Sequence, residues 1–170
     1  FKNKKLIDKM EISALTRSVV KHNHSIIAPD GYINSNVPGW ANCTVNIIIN
    51  EAMGANFCQT IITAQSDAKL EGKTITSQIF FYLIEGSCKA TIETETQHLS
   101  KGQFIYVPIQ KYYLFEEMEE DTQILTFHKV YEKLEGYNIP EIQFGDTVNF
   151  STPAYLGDEA MAKGIRVKTS

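Results

Sequence analysis

The sequence is short of several things. Its 170 residues include three cysteines, five prolines, ten glycines and one tryptophan. The cysteines, Cys43, Cys58 and Cys88, are odd in number and widely spaced. They do not make the paired framework of a small secreted domain. No CxxC pair is present, which excludes the usual zinc and thioredoxin-like motifs. Each cysteine lies in an apolar stretch and reads as a reduced thiol in or near a core. No apolar run approaches the roughly 18–20 residues of a membrane-spanning helix. A basic surplus is also missing. Sixteen Lys and Arg against twenty Asp and Glu leave a net charge of −4, which argues against a nucleic-acid or anionic-membrane binder. The basic start, FKNKK, has no apolar segment behind it, so it is no signal peptide, and the cytoplasm is the expected compartment.

What is there suits a packed sheet. Hydrophobic residues make up 43% of the chain and aromatics 11%. A chain of this length suits one domain that buries roughly 70% of its unfolded surface, without disulfides or metal. Residues 1–16 read as an arm or short helix, and from residue 17 the pattern becomes β. Short β-branched or aromatic runs at 18–20, 25–27, 43–50, 57–64, 79–84, 88–94, 104–108, 112–115 and 123–130 predict strands. Turns fall at Pro29-Asp30-Gly31, Val37-Pro38-Gly39-Trp40, Met53-Gly54-Ala55 and Glu85-Gly86-Ser87. The polar stretches 65–72 and 98–102 read as loop and turn. Residues 132–152 read as a mixed polar connection, and 153–170 as a linker with a short strand at 165–167. Residues 79–84 (IFFYLI) are apolar at every position, so the sheet they join is expected to be covered on both faces. Close, regular strand spacing without long amphipathic helices predicts an antiparallel sandwich or barrel.

Two stretches resemble the cupin motifs. Residues 78–86 (QIFFYLIEG) resemble the strand and glycine turn that close the first motif. Gly102, then five residues, then Pro108, then Tyr113 five positions further on, resemble the second. The fold class that follows is all-β, a cupin (double-stranded β-helix, jelly-roll) barrel over 17–152. Metal-binding cupins supply two His and a Glu from the first motif and one His from the second, a donor set suited to a divalent transition metal. Here residues 70–77 (LEGKTITS) contain no His, and the Glu position falls on Gln78 or Ile79. The His position falls on Tyr113, and Gln110 stands where a Gly is expected. The barrel is therefore expected to hold no catalytic metal. Gln78 and Tyr113 occupy ligand positions and are the candidate pocket residues, against the plainer reading that both fill the core with a tethered polar end.

The four histidines add little. His22 and His24 lie at i and i+2, on one face of a strand, and so could ligate together. No third ligand has a place near them, and a solvated strand is the simpler reading. His98 reads as exposed in a turn, and His128 as a satisfied strand residue. Residues 116–121 (EEMEED) read as a solvated loop.

Longer pieces carry a family resemblance: Val20-Lys21-His22, Ala28-Pro29-Asp30-Gly31, Pro38-Gly39-Trp40 and Met53-Gly54-Ala55-Asn56-Phe57. With residues 82–86, 102–108, 129–131 and 135–137 they span nearly the whole chain from about residue 14 to 168. Together they resemble the N-terminal half of the (S)-ureidoglycine aminohydrolases, bicupin enzymes of allantoin catabolism. The resemblance implies release of ammonia from ureidoglycine to give ureidoglycolate, with Mn2+ held by a Glu, two His and a Gln of the second cupin. It implies a metal-free first cupin, so no catalytic residue is assigned to this chain. Its partner would be the second cupin half of the same protein, in a homo-oligomer, with residues 155–169 leading into that half. The alternatives are a freestanding metal-free cupin that binds a small molecule at Gln78 and Tyr113, and a metalloenzyme using His22 and His24.

Overall fold

The structure is a computed structural model that describes residues 18–21 and 24–149. The expected N-terminal arm, the 153–170 linker and His22 lie outside the described residues. Among the described residues twelve strands run in order: β1 (Val19–Val20), β2 (Ser25–Ile26), β3 (Ile33–Ser35), β4 (Trp40–Ile49), β5 (Cys58–Lys73) and β6 (Ser77–Glu85). They continue with β7 (Ser87–Ile92), β8 (Glu95–Ser100), β9 (Gln103–Val107), β10 (Tyr112–Glu116), β11 (Thr122–Val130) and β12 (Gln143–Asp146). Single 3-10 turns occupy Pro29–Gly31 and Glu51–Met53. No α-helix occurs among the described residues.

β1 and β2 form a separate small pair. The other ten strands make one antiparallel sheet in the order β12-β9-β6-β11-β5-β10-β7-β8, with β4 also on β5 and β3 on β4. β5 explains how one sheet becomes a barrel. Its first half, from Cys58 to Ala64, pairs with β11 on one side and β4 on the other. Its last residues, Leu70 to Lys73, pair with β10. The sheet thus turns a corner along β5 and closes around the core, as the sequence predicted.

Alternation builds that core. Along β6 every second residue, Ile79, Phe81 and Leu83, is buried, and Phe81 and Leu83 are fully so. Ile62, Ile92, Ile105, Phe115 and Ile124 meet them from the other strands, all at 0% exposure. The intervening residues of β6, Gln78, Phe80, Tyr82 and Ile84, are half-buried on the convex face. Strand β6 is therefore apolar on both faces, as its sequence required, but only its inner face is sealed.

Three expectations are corrected. Residues 65–72 are not a loop; they are the second half of β5. Their polar residues face solvent, while Ala68 and Leu70 enter the core at a two-residue period. His98 is not in a turn but in edge strand β8, where only Leu99 is buried. A strand this polar carries little hydrophobic signal. Residues 132–152 are not wholly a connection, because β12 lies within them and pairs with β9.

Two measurements check this core. Phe81→Ala should destabilise the protein by about 3–5 kcal/mol in urea unfolding, through loss of buried area and the cavity left behind. Cys88 is 2% exposed, and burial pushes its thiol pKa up to about 12. It should resist maleimide labelling in the native protein and react fully once unfolded.

Candidate functional site

The second-motif frame places Tyr113 on the inner face of β10, 5% exposed. Its ring packs on Phe81 at 5.4 Å and on Phe115 at 6.3 Å between centroids. The Trp40 Nε1–H donates to its hydroxyl at 3.3 Å. Gly72, its Cα partner on β5, makes room for it. A Cβ at Gly72 would stand 2.4 Å from the Tyr113 hydroxyl oxygen, closer than atoms approach. Burial pushes the phenol pKa up, against a smaller lowering from the Trp40 bond, so the group stays neutral.

The other positions in and around the two motifs are also committed. Thr74 is 2% exposed; its hydroxyl donates to the Pro108 carbonyl at 2.6 Å and accepts from the Lys111 N–H at 2.9 Å. Ile79 is apolar and buried in the core. Gln110 takes φ +61°, the left-handed shape a glycine would adopt without cost. A neutral tyrosine, a committed threonine and an isoleucine do not fit a divalent transition metal, which prefers imidazole, thiolate and carboxylate donors. Among the described residues no group of three or more His, Cys, Asp or Glu stands together.

Gln78 lies on the opposite, convex face of β6. Its side-chain carbonyl accepts a 2.6 Å hydrogen bond from the Tyr106 hydroxyl of β9. The two candidate residues are therefore on different faces, and the structure does not bring them together.

The structure does gather polar residues at one end of the barrel. His128 near the end of β11, Cys58 at the start of β5 and Ser77 at the start of β6 share the inner face by alternation. His128 Nε2 and Ser77 Oγ are 2.6 Å apart. One step deeper, the Thr60 and Thr126 hydroxyls meet at 2.6 Å in a buried pair. Burial lowers the His128 pKa, with Glu51 partly opposing, and the same carboxylate adds to the raised pKa of Cys58. The result is a neutral imidazole beside a hydroxyl and a protonated thiol, a set that holds hydrogen bonds rather than an anion or a metal. His128 by itself carries no such signal, but counting alternate residues along 58–62, 77–81 and 124–128 places all of these on one face.

An antiparallel jelly-roll closed around an apolar core, with both motif turns in register, defines a cupin. The cupin domain of Schizosaccharomyces pombe Cnp3 is similar in fold, with a TM-score of 0.52 at 14% identity, over 67% of this chain and 85% of that one. In sequence the chain is related to the (S)-ureidoglycine aminohydrolases, the resemblance its motifs carry. The Escherichia coli K12 enzyme of that name is 32% identical over 127 residues, which is 71% of this chain and 48% of the relative. A crystal structure of the E. coli protein Ylba, a DUF861 protein, superposes with a TM-score of 0.72 at 26% identity, over 85% of this chain and 65% of that one. The chain spans about half the length of the curated relatives it matches. No family model matches it.

Two predictions test the interior. Tyr113→Phe keeps the ring but drops the bond from Trp40, and should cost about 0.5–1.5 kcal/mol in denaturant unfolding. His128 has a folded pKa below its ordinary 6.5, so the unfolded chain takes up the proton first as pH falls. Its contribution is intact above the ordinary value and is lost as pH falls through it towards the folded value. The Tm of His128→Gln should therefore decline less than that of the parent between about pH 7.5 and about pH 5.

Proposed function

We propose that this chain is the N-terminal, non-catalytic cupin half of a ureidoglycine aminohydrolase-like enzyme. The enzyme would convert ureidoglycine to ureidoglycolate and ammonia in purine catabolism in the cytoplasm. The observation that carries this reading is the closed interior: Tyr113 stands at the His position of the second motif, held by Trp40 and seated over Gly72. A barrel filled in this way offers no open coordination site, and catalytic metals need one. The similarity over about half the length of the aminohydrolases supports a second half elsewhere in the polypeptide. That half would hold the Mn2+ and the reacting groups. The barrel described here would support it and contribute to a homo-oligomer. Gln78 and Tyr113, each with its polar end hydrogen-bonded inside the protein, serve packing rather than ligand binding in this reading.

The test compares the 170-residue chain with the polypeptide extended through the coding sequence that follows Ser170. The extended protein should release ammonia from ureidoglycine and contain manganese. The 170-residue chain should do neither. Ammonia release by the short chain, or stoichiometric metal in it, would overturn the assignment.

A further inference from the structure

The inner face of the barrel opens to solvent at one end. Along β11 the inward residues run from the buried Ile124 and Thr126 to His128, which reaches solvent, and Val130, 55% exposed. β6 opens the same way, from the buried Phe81 and Ile79 to the half-buried Ser77, with Ile75 before it 70% exposed. β5 does so from Ile62 through Thr60 to the half-buried Cys58. These three strands are neighbours, so their open ends form one mouth. Its polar groups are not fully used. The buried Thr60 and Thr126 hydroxyls carry two hydrogens, and the 2.6 Å bond between them takes one. The other has no acceptor among the described residues. The bond between Ser77 Oγ and the neutral His128 Nε2 also leaves one hydrogen spare, whichever way it runs, together with unused lone pairs. In the turn after β4, Asn50 Oδ1 is buried without a partner among the described residues. Glu51, next to it, is close enough to act on both His128 and Cys58.

We propose that this mouth binds a small neutral amide, seated between the threonine pair and the Ser77–His128 pair. The inference is independent of the half-enzyme reading and concerns binding rather than catalysis. Buried donors and acceptors left unpaired cost stability, and a ligand or water that meets them removes that cost. Successive inward residues on a strand are about 7 Å apart. An amide spans that step. Its oxygen accepts from the spare threonine hydrogen and its N–H donates to a Ser77 or His128 lone pair, each bond about 2.9 Å long. A single water or hydroxyl oxygen falls short of it. The charge that acts on both His128 and Cys58 is the Glu51 carboxylate, which repels an anion. Ile79 stands opposite His128 and Val130 opposite Ser77, so apolar surface flanks the polar groups. Apolar walls with a few convergent polar groups make a small-molecule site, and barrel mouths are a usual place for one.

The test follows the imidazole NMR signals of the full-length protein, made with isotope-labelled histidine, as a probe is added. His128 is assigned from the signal lost in His128→Gln. The probes are equal in size and differ in chemistry: propionamide, propionate and propylene glycol. Propionamide should shift the His128 signal saturably, with a Kd of about 1 mM, the strength open to so small a ligand. The anion and the diol should give no saturable shift. Thr126→Val keeps the shape and drops the hydroxyl, and should weaken propionamide by about three- to tenfold. Thr126→Ser should retain binding. A shift that never saturates with propionamide means that water alone meets these groups, and overturns the inference. So does saturation by propionate or propylene glycol at equal strength, or propionamide binding that Thr126→Val leaves unchanged. The half-enzyme reading stands or falls separately, on the ammonia and metal measurements.

Discussion

Both walls of the barrel depend on one strand. β5 is sixteen residues long and exchanges partners along its length, from β11 at its start to β10 at its end. Ile62 and Ala64 before the corner and Ala68 and Leu70 after it are buried on one two-residue phase, and Ser66, at the corner on the same phase, is exposed. A slip of one residue would turn Gln65, Asp67 and Lys69 into the core and take the buried four out. The register of β4, β10 and β11 is fixed by that penalty, and with it the meeting of Tyr113 with Gly72 and of Thr60 with Thr126.

This constraint also explains what could be read in advance. β4, β6, β9 and β11 are rich in β-branched and aromatic residues and announce themselves. The class of fold and the strand spacing were legible for that reason. The second half of β5 was not, because its apolar residues, Ala68 and Leu70, are few and its outer residues are charged. β8 has one buried residue, Leu99, and β12 none below half-burial, so tertiary pairing rather than local pattern makes them strands. The interior was partly legible. Spacing put Tyr113 where an imidazole stands in metal-binding cupins, but nothing in the linear sequence joins it to Trp40, 73 residues away. Nor could spacing place Gln78, since one residue decides which face of a strand it takes.

The inner and outer faces of β6 divide the work of the protein. Ile79, Phe81 and Leu83 join the strands into a core. Phe80, Tyr82 and the rings beside them form a half-buried row on the outer side. A strand apolar on both faces is a poor choice for a domain that stands alone, since its outer side adds aggregation risk without adding stability. It becomes a sound one when another layer lies against it.

The turn between β9 and β10 keeps a left-handed residue at Gln110, φ +61°, at the position where the second cupin motif carries glycine. A side chain there is strained whatever its surroundings, and a glycine would relieve it. The bend leads into β10, where the Tyr113 hydroxyl accepts from Trp40. Its shape therefore answers to closure of the barrel, which must bring β10 back against Gly72 whether or not a metal waits inside. The turn belongs to the cupin frame, and the frame is a matter of packing.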